Sequence, residues 1–155
     1  MASEVAHALG APLDVFVARK VGAPGHPELG IGAVAEGGVV VGVPDAPADV
    51  WEELQRRVQL YRGGRPLPDL SDRDMVLVDD GLATGVTAEA AMQALRSHRP
   101  RRLVLAVPVA APETVARLGG EVVCLVAPHR FMAVGQWYDD FTQTTDEEVL
   151  AAMRP

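Results

Sequence analysis

The sequence predicts an α/β fold, a mostly parallel sheet with helices on both faces, and three observations carry that prediction. Short apolar runs bounded by turn signals recur along the chain and read as strands. Between them lie longer stretches in which apolar residues return at helical spacing. Strands alternating with helices build parallel sheets, because each crossover helix brings the chain back in the same direction. Composition supplies the third observation: 155 residues, 48% hydrophobic, with a mean hydropathy of +0.11, suffice for one domain with a sizeable core and argue against disorder.

Residues 2–9 read as a helix, and 13–18 (LDVFVA) as the first strand. "ARKVGAPGHPE" follows, joining the adjacent cations Arg19 and Lys20 to two prolines and two glycines. It reads as a mobile surface loop that carries His26. Strands are expected at 31–35 and 39–43, with "EGGVVV" forming the turn of a hairpin. Asp49, or Pro47 just before it, opens a helix over 48–62, where Val50, Leu54, Val58 and Tyr61 share a face. "YRGGRPLPDLSDRD" is a long surface connection. Strands at 75–79, 103–109 and 122–127 then alternate with helices at 86–97 and 112–118. A last helix over 146–153 is capped by Thr145 or Asp146. Neither a repeat nor a linker interrupts the chain, so 1–155 reads as a single domain.

A net charge of −7 argues against a general nucleic-acid or anionic-membrane surface. Positive charge comes almost wholly from arginine, and Lys20 is the only lysine. Cys124 stands alone among Val122, Val123, Leu125 and Val126, which excludes an internal disulfide and reads as a packed thiol. "MASEVAHALG" lacks the basic-then-apolar order of a signal peptide, and "LVLAVPVAAP" is too short to span a bilayer. A cytoplasmic protein is the expectation. No ligand spacing supports zinc, and His7 and His98 read as surface residues.

The most informative stretch is "MVLVDDGLATGVTAEAAMQAL", residues 75–95. Asp79 and Asp80 sit side by side at the carboxyl end of a strand, where ligands bind in parallel sheets flanked by helices. Adjacent carboxylates repel, so the pair costs free energy unless a cation or hydrogen-bond donors occupy the site. "DGLATGVT" then offers consecutive main-chain amides, two threonine hydroxyls and a helix N-terminus, which together make an anion cradle. Gly81 and Gly85 permit close approach. A tight strand-to-helix turn capped by threonine explains the same loop without a ligand. Two other phosphate loops do not fit: Val86 stands where a P-loop needs lysine, and the spacing departs from G-x-G-x-x-G. Carboxylates beside a phosphate cradle suit a sugar phosphate, whose vicinal hydroxyls donate to the acids.

"VLVDDGLATGVT" resembles the phosphoribosyl-diphosphate (PRPP) motif of type I phosphoribosyltransferases: apolar strand, acid pair, then a Gly/Ala/Thr-Gly loop ending in threonine. "APLDVFVARKVGAPGHPELGIGAVAEGG" and "WYDDFTQTTDEEV" are similar to a bacterial subgroup of that family. The resemblance implies a Rossmann-like sheet with a small C-terminal hood. It also implies transfer of the phosphoribosyl group of PRPP to a nitrogenous acceptor, with release of pyrophosphate, in nucleotide metabolism. By matching position, Asp79 and Asp80 would hold the ribose hydroxyls, Ala83, Thr84, Gly85, Val86 and Thr87 would cradle the 5′-phosphate, and Gly81 would complete the PRPP-binding stretch. Arg19 or Lys20 would reach the pyrophosphate from a closing loop. Mg²⁺ would enter with PRPP rather than on protein ligands of its own.

Past the last strand, "PHRFMAVGQWYDDF" places Arg130, Phe131, Trp137 and Tyr138 where they could stack on an acceptor base, or simply pack over the sheet end. Family members acting on 6-oxopurines carry an acid where this chain has Ala83, which disfavours guanine and hypoxanthine and leaves adenine-like, orotate-like or unusual acceptors. The main alternative is a regulatory protein of this fold that binds PRPP without turnover. A receiver-type signalling domain fits poorly, since its acid pair follows the first strand. The family's pyrophosphate loop, and the strand before it, precede the helix that here spans 2–9, so both are expected to be missing. The flanking strands, 13–18 and 75–79, should then either pair directly or be bridged by another chain, which implies a homo-oligomer.

Overall fold

The structure, a computed structural model, describes residues 1–154 apart from the side chain of Glu28. In chain order its elements are α1 (Ala2–Leu9), β1 (Ala18–Ala23), β2 (His26–Ala35), β3 (Val39–Val41), α2 (Ala48–Arg62), β4 (Asp74–Val78), α3 (Val86–Ser97), β5 (Arg102–Val109), α4 (Pro112–Leu118), β6 (Glu121–Val126), a 3-10 turn (Val134–Trp137) and α5 (Asp146–Ala152). The α/β class is as expected. The strands form two three-stranded sheets, an antiparallel β1-β2-β3 and a parallel β4-β5-β6.

The stretch read as a mobile loop is a hairpin instead. Ala18 to Ala23 pair with Ala35 back to His26. Pro24 and Gly25 make the turn, with Gly25 at a φ of +76°. Alternation was masked there because Arg, Lys, Gly and Pro occupy positions whose backbone groups are satisfied by the neighbouring strand. The expected strand at 13–18 joins no ladder before Ala18. Its polar groups find other partners: the Val17 amide donates to Glu36 at 2.6 Å, and the Val15 carbonyl accepts from Arg62 at 2.6 Å. Arg62 also pairs with Glu36; the arginine is buried and the glutamate nearly so, its side chain 10% exposed. Truncating either would strand a buried charge, which typically costs ~3–5 kcal/mol.

The antiparallel sheet is covered on both faces. Val17, Val21 and Val34 pack with Leu54 and Tyr61 of α2 on one side, and Val149 and Leu150 of α5, with Met153 just after it, join them. Ala33 and Ala35 meet Ala90 and Ala94 of α3 on the other. α3 also turns Ala88 and Met92 toward Leu105 and Val107 of the parallel sheet. Its many alanines follow from this double duty, because small side chains let two sheets approach one helix. α4 adds Val115 and Leu118 to the same side of the parallel sheet. On the opposite face Val76, Val123 and Leu125 are 39%, 54% and 78% exposed. Direct pairing of 13–18 with β4 does not occur, for among the described residues β4 pairs with β5 alone. No helix among them is long and apolar enough to cross a membrane.

Candidate functional site

The site begins where the β4–β5 ladder runs out. The Asp79 amide still donates to the Ala106 carbonyl at 3.2 Å. The chain then bulges and is caught again at Leu82, whose amide donates to Val109 at 3.0 Å and whose carbonyl accepts from Ala111 at 2.9 Å. Leu82 is 1% exposed and anchors the turn in the core. Asp80 and Gly81 are therefore held between two fixed points, at the carboxyl end of the parallel sheet.

Burial, reinforced by the neighbouring charge of Asp80, pushes the Asp79 carboxyl up to about 6. Burial raises Asp80 as well, against the lowering effect of hydrogen bonds from Asp79 and the main chain. The Asp80 amide donates to its neighbour's carboxylate at 2.9 Å. Two carboxyls raised together form a site that gains from a donor or cation beside it. Among the described residues no cluster of three or more His, Cys, Asp or Glu is placed to hold a metal ion by itself.

Residues 83–87 lead from this bulge into α3. Ala83 and Thr84 are exposed, whereas Gly85 is buried, with a φ of +70° at the N-cap position. No side chain caps α3, so the first amides of the helix find no intrahelical acceptor. Thr114 and Arg117, neither singled out from the sequence, brace this loop from α4. The Thr114 hydroxyl donates to the Ala83 carbonyl at 2.6 Å, and Arg117 donates to the Thr84 carbonyl at 2.6 Å. A Cβ on Gly85 would lie 2.5 Å from Cγ2 of Thr114. Three-residue spacing on a short helix gave the only signal, and it marks a shared face without saying what that face touches.

Arg19 and Lys20 leave β1 on opposite faces. Successive strand residues point to opposite faces, so Arg19 lies between Val17 and Val21 on the α2 side. Its Nε is buried without a hydrogen-bond partner. Lys20 lies on the α3 side: a Cβ on Gly30 would sit 3.1 Å from both Cγ and Cδ of Lys20 and 3.3 Å from Cγ2 of Val86. The lysine stem therefore borders the start of α3, and the arginine does not.

The C-terminal hood reaches the acid bulge. Tyr138 donates to the Asp80 carbonyl at 2.5 Å, and a Cβ on Gly81 would meet Val134 at 2.7 Å. Trp137 is 43% exposed, Phe131 half-buried and Arg130 exposed.

A phosphoribosyl transferase domain model matches residues 1–129. The chain is 49% identical to a Mycobacterium tuberculosis (strain H37Rv) protein provisionally named a phosphoribosyl transferase, over 97% of this chain and 38% of that protein. It thus spans well under half the length of that curated relative. A uracil phosphoribosyltransferase of Lacticaseibacillus paracasei is 46% identical over 48 residues, 31% of this chain and 23% of that enzyme. The crystal structure of TT1426 from Thermus thermophilus superposes with a TM-score of 0.74 at 47% identity, covering 97% of this chain and 79% of that one. With its acid pair and glycine loop at the end of a parallel strand, the chain belongs to the type I phosphoribosyl transferase family.

Proposed function

We propose that this domain binds PRPP through the bulge and loop of 79–87 and transfers its phosphoribosyl group to a nitrogenous base. The observation that supports this reading best is the placement of two raised carboxyls directly before a braced loop that opens α3. Asp79 and Asp80 would accept hydrogen bonds from the ribose hydroxyls. The amides of 84–87 would receive the 5′-phosphate, helped by the dipole of α3. Lys20, bordering the start of α3, would face the pyrophosphate. In the reaction the bond from the anomeric carbon to pyrophosphate oxygen breaks and its electron pair leaves with pyrophosphate. A bond to the acceptor nitrogen forms, and the acceptor gives up a proton. Positive charge develops on the sugar meanwhile, and ionised Asp79 and Asp80 would stabilise it.

Mg²⁺ fits this site as a companion of PRPP, since paired carboxyls raised by burial are relieved by a nearby cation. Bound to the pyrophosphate, it would neutralise charge on the leaving group. Ala83 carries no proton-transferring group, which supports an acceptor other than a 6-oxopurine. The exposed face of Trp137 would serve as a stacking surface.

Calorimetric titration with PRPP, with and without Mg²⁺, tests the reading. Asp79→Asn/Asp80→Asn should weaken PRPP binding at least tenfold, a loss of about 1.4 kcal/mol, while leaving the fold intact. Equal affinity in parent and variant would remove the sugar assignment. Pyrophosphate release with a base acceptor distinguishes the enzyme from a regulatory protein that only binds.

A further inference from the structure

In a planar trans peptide the carbonyl and the following amide point in opposite directions, and the chain has no cis bonds among its described residues. Holding a carbonyl therefore aims an amide. The Ala83 carbonyl is held by Thr114 and the Thr84 carbonyl by Arg117, both from the α4 side. The amides of Thr84 and Gly85 must consequently point away from α4. We propose that Thr114 and Arg117 are positioning residues that lock these two peptide planes and so set the affinity of the 83–87 loop for a phosphate monoester. The inference rests on the phosphate-site reading given above.

Four features favour a geometric role. Thr114 is 4% exposed, so its hydroxyl has no competing water, and a buried hydroxyl keeps its partner. The methyl of Thr114 fills the space that a side chain on Gly85 would need, so loop and helix are in direct contact. α4 is itself tied to the loop, because the Ala111 amide at its N-cap donates to Leu82 at 2.9 Å. Lastly, the Arg117 guanidinium is paired with Glu89 of α3. Its charge is thereby balanced, and what it contributes to the loop is direction more than field.

An unbraced loop would sample flipped peptides that turn a carbonyl toward the anion, and ordering it on binding would cost affinity. Thr114→Val keeps shape and burial but removes the donor, whereas Thr114→Ser keeps the donor. Thr114→Val should weaken ribose 5-phosphate binding on the order of tenfold. Thr114→Ser should stay within about threefold of the parent, and Arg117→Ala should resemble the valine variant. In the unliganded protein, amide relaxation and hydrogen exchange of Thr84 and Gly85 should show loosening in the Val and Ala variants but not in Ser. With PRPP as substrate, KM should rise with little change in kcat.

Identical affinities and identical amide order in parent and Thr114→Val would overturn the proposal. So would a loss in Thr114→Ser that matches or exceeds any loss in Thr114→Val, because Val keeps the packing and Ser keeps the donor. If Thr114→Val does not fold, Arg117→Ala and Thr114→Ser decide by the same measurements. A parent that binds no ribose 5-phosphate sinks the phosphate reading, and the order of the Thr84 and Gly85 amides still tells whether the brace exists.

Discussion

Tyr138 donates its hydroxyl to the main-chain carbonyl of Asp80 at 2.5 Å across 58 positions of sequence. Its ring packs on Phe141 with centroids 5.1 Å apart. Burial, and then the charges of Asp80 and Asp79, raise the phenol's affinity for its proton and keep it a donor. The hood is therefore a brace for the acid bulge as well as a cover for the sheet end. Its tyrosine spends its hydroxyl on the loop, which leaves Trp137 the more available of the two aromatics.

Tyr138→Phe removes that donor while leaving the ring on Phe141. A lost hydrogen bond of this kind is worth ~1 kcal/mol, so PRPP affinity should fall about fivefold. Calorimetry checks the affinity, and a thermal melt checks that the hood remains folded. Unchanged affinity would mean that the bulge holds its shape without the hood.

Asp79 ties stability to pH in an unusual sense. Its carboxyl titrates near 6 in the folded chain against an ordinary value of 3.8, so the folded state holds this proton more tightly than the unfolded state. Stability from this group is complete below the unfolded value and is lost as pH rises through the folded one. Asp79→Asn should accordingly stabilise the unliganded protein by about 1–3 kcal/mol at neutral pH and by almost nothing near pH 4. Denaturant melts at both pH values measure the difference. A constant gain at both would place its origin outside titration. PRPP should favour the ionised form, so its binding to the parent should tighten about tenfold between pH 5 and 7.

Most helices were legible because their faces are built from local repeats. Val50, Leu54, Val58 and Tyr61 announce α2, and Thr145 reads as a cap because its capping box with Glu148 is local. Asp79, Asp80 and the loop were equally legible, since strand, acids, glycines and helix are contiguous. What escaped was tertiary. LDVFVA has the chemistry of a strand, but a strand also needs a partner edge, and residues before Ala18 have Arg62 and Glu36 instead. Thr114 and Arg117 touch the loop from about thirty positions away, a relation that no local pattern encodes.

Arg19 and Lys20 should separate on mutation because they leave β1 on opposite faces. Lys20→Ala should weaken PRPP binding and spare ribose 5-phosphate, since only PRPP carries the pyrophosphate. Arg19→Ala should leave both affinities near the parent's and act through stability, because the side chain borders the α2 core. Parallel titrations with the two ligands make the comparison. Matching losses in both variants would show that the two cations work together.

The uncovered face of the parallel sheet predicts self-association. Parallel sheets are normally covered on both sides, yet Val76, Val123 and Leu125 are exposed on the face turned away from α3 and α4, and β4 leaves one edge unpaired among the described residues. The chain exposes 9710 Å², whereas a folded monomer of this mass is expected to expose about 7,500 Å². The excess, about 2,200 Å² per chain, is more than the ~800 Å² that each partner buries in a standard interface. A second copy packing its own uncovered face against this one would bury the apolar residues by symmetry. We therefore expect a dimer by size-exclusion chromatography with light scattering, and a monomer for Val123→Glu/Leu125→Glu. A monomeric parent at high concentration would refute the assembly. Since Val123 and Leu125 face away from α3, α4 and the 83–87 loop, the monomeric variant should retain the parent's affinity for ribose 5-phosphate. That result would separate assembly from the phosphate site.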